Sequence, residues 1–234
     1  MSYEANAHEA QMAILRHLLL VPHAGFADLQ KSTNLTSDHF NFHIKQLVAS
    51  GYVTKNTDGN YTLSRAGKEY ANRMDTDEKV IEKQPKLSVV LVIEREDGKI
   101  LQQERLKQPY YGFWGFPTGK IRWGETITQA AARELLEETG LTADLREAGI
   151  FHKMDYDKES GEMLEDKFFV LIHGKNPKGK LIIEDEGHRN EWLNTSEVLA
   201  KEKVFESIAE TAELVRQGGF HFVEKRYEYR PDEY

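Results

Sequence analysis

The stretch Gly119–Leu141, GKIRWGETITQAAARELLEETGL, decides the fold of the chain that contains it. Thr126 precedes an apolar-periodic segment and suits a helix N-cap, and Gly140 stands where helices often end in a left-handed residue. Ala131 and Leu135 are one turn apart and would form part of a docking face. The pattern therefore predicts a helix of about four turns between Thr126 and Gly140.

Three carboxylates share one face of this helix: Glu134, Glu137 and Glu138. Like charges at this spacing destabilise an isolated helix by roughly 0.2–0.5 kcal/mol per pair, so we expect a compensating charge. A hard divalent cation is the natural candidate, because Mg²⁺ and Mn²⁺ prefer carboxylate oxygens. Glycine lets the backbone approach a ligand closely, so the Gly119 carbonyl would complete such a site. A solvated acidic face is the plainer alternative.

Arg133 lies on the same helix and has two candidate partners. It would reach Glu137 one turn further on, or Glu125 two turns back. Either contact would be a charge-assisted hydrogen bond that holds a carboxylate in position.

The stretch resembles the Nudix box of the Nudix hydrolase family. The matching positions are Gly119, Glu125, Arg133-Glu134-Leu135, Glu137-Glu138 and Gly140-Leu141. The resemblance implies an α/β fold, an α/β/α sandwich with a mixed sheet. It also implies an enzyme that uses Mg²⁺ or Mn²⁺ to hydrolyse a nucleoside diphosphate linked to another moiety. Thr118 stands where many members have a second glycine.

The resemblance also assigns roles to individual residues. The metal ligands that it implies are the carboxylates of Glu134, Glu137 and Glu138 and the backbone carbonyl of Gly119. Arg133 and Glu125 would form an orienting ion pair. Many members take an additional carboxylate from a later loop, for which Glu186 is our first choice and Glu184 the second. Glu138 or Glu186 would be the general base, with His188 as an alternative.

Residues before the box are candidates for binding substrate. Arg105 ends a predicted strand and would contact phosphate or, alternatively, form a surface ion pair. The segment 110–116 is rich in aromatic residues, of which Trp114 and Phe116 are our candidates for stacking on a base. Core packing is the alternative role for most of this cluster. The segment FWGFP favours a nucleoside triphosphate or an oxidised nucleotide as substrate.

Composition limits the classes of protein that fit. The chain has 234 residues, 39% hydrophobic and 30% charged, which suits one large or two ordinary globular domains. The absence of cysteine excludes disulfides and thiol catalysis. We see no targeting signal and no apolar run long enough for a membrane span, so we expect a cytoplasmic protein without membrane contact. The net charge of −8 lies in the part after residue 75, where an acidic domain would need cations to bind polyphosphates.

Residues 1–75 predict three helices, a hairpin around Asp58-Gly59 and a further helix. This order resembles the winged helix-turn-helix domains of bacterial regulators, which bind DNA through the third helix and the hairpin. The candidate DNA-binding residues are Asn41, Lys45, Gln46 and Lys55. The segment is net neutral and lacks the basic excess of most DNA-binding domains. Dimerisation of the enzyme into a homodimer is the alternative role.

The complete prediction has four segments. Residues 1–75 form the winged helix-turn-helix domain, 76–86 a charged linker, 87–218 the Nudix domain and 219–234 a tail that adds an edge strand or contacts a partner. Within the Nudix domain, 87–93 and the alternating run 99–105 are expected to pair around Asp97-Gly98. The alternative to a simple hydrolase is a nucleotide-sensing transcriptional regulator.

Overall fold

A computed structural model describes residues 9–74 and 83–234. The chain divides into two compact units, with the boundary between Lys83 and Gln84. This boundary falls inside the predicted linker 76–86, of which residues 76–82 lie outside the described residues. None of the helices in the described ranges is long and apolar enough to cross a membrane.

The first unit contains four helices and a hairpin in the predicted order. Its elements are α1 Glu9–Leu20, α2 Phe26–Thr33, α3 Ser37–Ala49, β1 Val53–Lys55, β2 Tyr61–Leu63 and α4 Arg65–Ala71. Phe40, Ile44 and Leu47 form the buried stripe of α3 and pack with α1 and α2 in one core. The spacing of these three residues is that of one helix face, which explains why the third helix could be read from the sequence.

The second unit contains the remaining elements. They are β3 Lys86–Ile93, β4 Ile100–Arg105, β5 Trp114–Gly115, β6 Thr118–Lys120, α5 Ile127–Thr139, β7 Leu141–Asp157, β8 Met163–Gly179, β9 His188–Leu193, α6 Thr195–Leu199, α7 Ile208–Gln217 and β10 His221–Tyr229. A five-stranded sheet has the order β10-β7-β8-β3-β6, and a three-stranded sheet has the order β5-β4-β9. The larger sheet is mixed, because β10 and β7 are parallel, as are β8 and β3.

Alternating residues of β3 show how the layers are built. Val89, Leu91 and Ile93 pack in one cluster with the buried residues of α5. Val90 and Val92 pack in another cluster with the buried residues of α7. Because successive strand residues point to opposite faces, the two helices cover opposite sides of the sheet. This is the α/β/α sandwich that the sequence implied.

The structure corrects one prediction about strands and confirms another, the edge strand expected from the tail. β4 does not pair with β3 beyond a single bridge between Glu94 and Ile100; it pairs with β5 and β9 in the smaller sheet. Its first four residues are all buried, so it lies between layers and is not an alternating surface strand. The segment 219–234, which we set apart as a tail, supplies β10, which pairs with β7 along nine residues at the edge of the larger sheet.

Candidate active site

Helix α5 is fixed at both ends by the residues that predicted it. Thr126 and Gln129 form a reciprocal capping box, and Gly140 ends the helix with φ 71°. Ala131 and Leu135 are fully buried against the sheet. These contacts orient the helix so that Glu134 and Glu138 reach a cleft beside it.

Arg133 contacts both of its candidate partners, Glu125 and Glu137. Its guanidinium binds Glu125 through two hydrogen bonds of 2.5 and 2.8 Å, and Nη1 lies 3.1 Å from Glu137. It also donates to the Lys120 carbonyl at 3.0 Å and lies 2.7 Å from Glu134. The bonds from Arg133 lower the pKa of Glu125 to about 2, so this carboxylate is ionised at neutral pH. The arginine thus ties the loop before α5 to the carboxylates on the helix.

Gly119 on β6 packs directly against Glu134. A methyl carbon built on Gly119 would lie 2.6 Å from Oε2 of Glu134, and closer still to Cγ and Cδ. No side chain fits there unless the carboxylate moves. The glycine therefore allows the backbone of β6 and the carboxylate of Glu134 to face the same point of the cleft.

Glu138 lines the cleft together with Glu134, and their side chains are 17% and 12% exposed. Oε2 accepts a hydrogen bond of 3.2 Å from Gln103, and Oε1 lies 3.8 Å from Nε2 of His188. Burial raises the pKa of Glu138 to about 7; the Gln103 hydrogen bond opposes this rise, and the charge of Glu134 adds to it. Glu138 is therefore poised between its protonated and ionised forms near neutral pH.

A buried amide pair supports Glu138 from β4 and β9. Gln103 donates to both Glu138 and the side-chain oxygen of Asn190, each at 3.2 Å. Asn190 is 1% exposed and donates to the backbone carbonyls of Glu138 and Ile182, each at 2.9 Å. These bonds hold both the carboxylate and the last turn of α5. The sequence analysis did not identify either amide, since they come from strands 87 residues apart.

Glu137 shares Nη1 of Arg133 with Glu134 but is more exposed than the other two carboxylates of the box. Its side chain is 49% exposed and lies 3.1 Å from both Arg122 and Arg133. It does not line the cleft, whereas Glu134, Glu138 and Gly119 do. The assignment of Glu137 as a metal ligand remains a prediction. To bind a cation, its carboxylate would first have to leave these two arginines.

The cleft encloses about 660 Å³ and combines cationic and aromatic walls. Arg105 lines it, and its guanidinium donates to the backbone carbonyls of Pro109 and Gln108. Phe116 also lines it and packs against the core, so its role in binding substrate remains a prediction. Trp114 does not belong to the described cleft lining; it is buried among Leu193, Val198 and Ile208 with Lys201 over its ring, so the structure favours a packing role.

The loop before β9 contains Glu186 and Glu184, our first and second choices for the additional carboxylate. Glu186 is exposed and has no hydrogen bond or ion pair with the described residues, and Glu184 pairs with Arg189 at 2.7 Å. Asp185 is also exposed; its Oδ1 accepts hydrogen bonds from the backbone amides of Gly187 and His188 and lies 3.4 Å from Nδ1 of His188, although this last pair is not aligned for a hydrogen bond. Burial and the charge of nearby Lys107 lower the pKa of His188. The imidazole is therefore neutral at neutral pH. The role of Glu186 remains a prediction.

The donor set at the cleft fits a hard divalent cation. Two carboxylates, Glu134 and Glu138, and the backbone of Gly119 face it, and Mg²⁺ sites commonly use one or two carboxylates plus water and substrate phosphates. The raised pKa of Glu138 reflects a buried carboxylate beside a like charge, which a cation would stabilise. Across residues 9–74 and 83–234, no three acidic or histidine side chains converge on one point, so protein side chains alone do not complete the shell.

The predicted DNA-binding residues occupy the outer side of the first unit. Lys45 and Lys55 are exposed, and Asn41 is half-buried. Lys55 lies 5.4 Å above the ring of Tyr61 on the neighbouring strand. Gln46 is exposed but its side chain already accepts a hydrogen bond of 2.8 Å from Gln11 of α1. Asn41, Lys45 and Lys55 thus remain available to a ligand, and Gln46 would have to exchange its partner.

Comparisons with known families match both units. A family model described as the NUDIX domain matches residues 84–214. A second model, described as a domain of unknown function (DUF7347), matches residues 2–74.

Known proteins resemble mainly the second unit. An ADP-ribose pyrophosphatase of Methanocaldococcus jannaschii is 28% identical over 139 residues, which is 57% of this chain and 79% of that protein. An oxidized purine nucleoside triphosphate hydrolase of Danio rerio is 47% identical over 58 residues, only 25% of this chain and 36% of that protein. The NUDIX domain of Shewanella oneidensis NrtR, solved in complex with ADP ribose, aligns with a TM-score of 0.49 at 20% identity, covering 66% of this chain and 98% of that one.

Proposed function

The chain belongs to the Nudix family of hydrolases, and from this premise we propose that it cleaves a phosphoanhydride bond in a nucleoside diphosphate derivative with the help of Mg²⁺ or Mn²⁺. The observation that carries the proposal is the meeting of Glu134, Glu138 and Gly119 at one end of a cleft that also presents Arg105. Two carboxylates and a backbone carbonyl suit the cation, and the arginine suits a phosphate.

The residues of the cleft have separate tasks in this proposal. Glu134 and Glu138, with the Gly119 carbonyl, would hold the cation, which when bound neutralises negative charge on phosphoryl oxygens and lowers the pKa of water. Arg133 keeps Glu134 in place through its bonds to Glu125 and Lys120. Gln103 fixes the carboxylate of Glu138.

Glu138 is also our preferred general base. Burial raises the pKa of Glu138 to about 7 without a cation, and a bound cation would lower this pKa and keep the carboxylate ionised at neutral pH. Glu186 is the alternative base, from a loop beside the cleft entrance residue His188. Of the two linked phosphates, Arg105 would bind the one that the water molecule does not attack.

The relatives narrow the substrate only to a class. Their names describe an ADP-ribose pyrophosphatase, an oxidized purine nucleoside triphosphate hydrolase and an RNA pyrophosphohydrolase, which all act on a substrate with linked phosphates. The sequence favours a nucleoside triphosphate or an oxidised nucleotide within this class. We test the proposal by a hydrolysis screen with Mg²⁺ or Mn²⁺ over nucleoside triphosphates, 8-oxo-dGTP, ADP-ribose, NADH and dinucleoside polyphosphates.

The screen should reveal release of phosphate, pyrophosphate or a nucleoside monophosphate from at least one compound. Glu138→Gln should abolish this activity while leaving the fold intact. A matched control is Glu147→Gln, because Glu147 lies on β7 outside the cleft and only accepts a bond from Thr128. A folded wild-type protein that is inert on the whole panel would overturn the proposal.

A second function is favoured by the surface of the first unit. We propose that residues 9–74 form a winged helix-turn-helix domain that binds duplex DNA, so that the enzyme is also a nucleotide-sensing regulator. Lys45 on α3 and Lys55 on the hairpin are both exposed, on the two elements that such domains apply to DNA. Fluorescence anisotropy of the full chain with duplex DNA at low salt should show binding that Lys45→Met and Lys55→Met weaken. No binding, together with a homodimer in sedimentation, would favour dimerisation instead.

A further inference from the structure

Part of the cleft is not used by the proposed chemistry. Three lysines, one from each of three adjacent strands, share one register there: Lys153 lies opposite Lys167, and Lys167 lies beside Lys86. All three line the cleft. Neighbouring strands are about 4.8 Å apart, and like charges side by side across strands destabilise a sheet. A row of three ammonium groups therefore needs compensation.

Two carboxylates supply only part of this compensation. Asp155 and Glu165 lie opposite each other two residues further along the same strands. Asp155 accepts a hydrogen bond from Lys153 in the buried interior. Glu165 lies 2.5 Å from Nζ of Lys86 but 3.7 Å from Nζ of Lys167. Among residues 9–74 and 83–234, the anionic partner of Lys167 is thus a loose one, which it shares with Lys86.

Lys153 is the structural member of the row. Its Nζ lies 4.9 Å from the ring centroid of Tyr229 and 5.0 Å from that of Tyr227, and it donates to the Tyr229 hydroxyl at 3.0 Å. Its side chain is 7% exposed, whereas the side chains of Lys167 and Lys86 are 21% and 56% exposed. A ligand in the cleft would therefore meet Lys167 and Lys86.

Arg105 connects the row to the catalytic end. Arg105, Glu138 and Glu165 all line the cleft, as do the three lysines. Both ends therefore belong to one continuous cleft. A substrate whose diphosphate lies at Glu134 and Glu138 can extend past Arg105 toward the lysines.

We propose that Lys167 and Lys86, with Lys153 behind them, form an anion subsite for a phosphate or carboxylate that the substrate carries away from its scissile diphosphate. This inference rests on the proposed function and narrows its substrate class to nucleoside diphosphate derivatives with such an additional anionic group. A neutral sugar or base at this position would cover Lys167 without supplying a counter-charge. Covering a charge in this way is costly unless it is paired.

Matched substrate pairs test the subsite. NADPH and NADH differ by one phosphate, and UDP-glucuronate and UDP-glucose differ by one carboxylate. We expect the charged member of at least one pair to have a kcat/KM about tenfold higher or more, as one charge-assisted hydrogen bond would give. The pair that shows the preference tells phosphate from carboxylate. Equal kcat/KM values within both pairs would overturn the proposal.

Lys167→Met should reduce the preference about tenfold. Lys178→Met is the matched control, because Lys178 is an exposed residue of the same strand outside the cleft. It should leave the preference unchanged. If Lys167→Met does not fold, Lys86→Met serves as the second variant, since its side chain is more exposed. An unchanged preference in the folded variant would contradict the subsite.

Direct binding separates this inference from the proposed function. If the protein hydrolyses neither member of either pair, calorimetry with the same four compounds still measures the anion preference of the wild type and of Lys167→Met. Tighter binding of a charged member that the variant loses would support the subsite although the proposed function had failed. Equal binding of charged and uncharged members would overturn the subsite as well.

Discussion

Replacing Gly119 by alanine tests whether the backbone of β6 and Glu134 form one site. Gly119 does not have a positive φ, so alanine suits its backbone and the only obstacle is steric. The added methyl carbon would lie 2.6 Å from Oε2 of Glu134, where about 3.4 Å is the ordinary contact. The carboxylate must therefore retreat by at least about 0.8 Å, and its Cγ and Cδ by more.

A displacement of about 1 Å in a group that positions reactants can cost on the order of 10²-fold in rate. We therefore expect Gly119→Ala to lower kcat/KM about 100-fold, which corresponds to roughly 2.7 kcal/mol of transition-state stabilisation. The melting temperature should change little, because Glu134 retreats toward the open cleft that it already lines.

The assay is steady-state hydrolysis of the best substrate from the screen, in a double-mutant cycle with Glu134→Ala. The three atoms nearest to the new methyl all belong to the Glu134 side chain beyond Cβ, so Gly119→Ala should add little once Glu134→Ala has removed them. Gly25→Ala is the control, because its Cβ would meet only ordinary contacts of 3.7 Å or more. Full activity in folded Gly119→Ala, or additive losses in the cycle, would refute the reasoning.

Four further predictions follow from the same site. Burial raises the pKa of Glu138 to about 7, so a cation that binds at lower pH must displace a proton from this carboxylate. The Mn²⁺ affinity measured by calorimetry should therefore fall about tenfold per pH unit below pH 7 and level off above it. An affinity that does not change with pH would contradict this prediction. Glu134→Gln should lower kcat/KM at least about 100-fold. Glu137→Gln should lower it less than about tenfold, because Glu137 contacts two arginines. Equal losses in the two variants would place Glu137 in the metal site. Gln103→Leu should lower kcat about tenfold without raising KM, and an effect on KM alone would argue against a positioning role. Leu135→Ala should cost about 2–5 kcal/mol of unfolding free energy in urea, because Leu135 is fully buried; a smaller loss would mean that α5 docks differently.

Local signals explain what the sequence could predict. Thr126 and Gly140 each fix one end of α5 through contacts with residues three or four positions away, and the pairing of Arg133 with Glu125 joins residues only eight positions apart. Interactions of this range depend on helix geometry alone. The helix and the contacts of Arg133 were therefore accessible without coordinates, whereas the α/β/α layers were expected only because the box resembles that of the Nudix family.

Contacts between distant strands explain what the sequence missed. Nothing local in Gln103 or Asn190 indicates that both amides converge on Glu138, because β4 and β9 meet only in the smaller sheet. The same holds for the lysine row, which exists only in the register of β3, β7 and β8. Trp114 was misjudged because an aromatic residue beside the box can face either the cleft or the core, and burial decides between them only in the folded chain.

The most direct measurement is a crystal structure of the protein grown with Mn²⁺, recorded at the manganese absorption edge. We predict an anomalous peak bound by carboxylate oxygens of Glu134 and Glu138 and by the Gly119 carbonyl, at about 2.0–2.3 Å as is usual for small divalent ions with oxygen ligands. A map with no peak at that end of the cleft, and with Glu138 still hydrogen-bonded only to Gln103, would contradict the central claim.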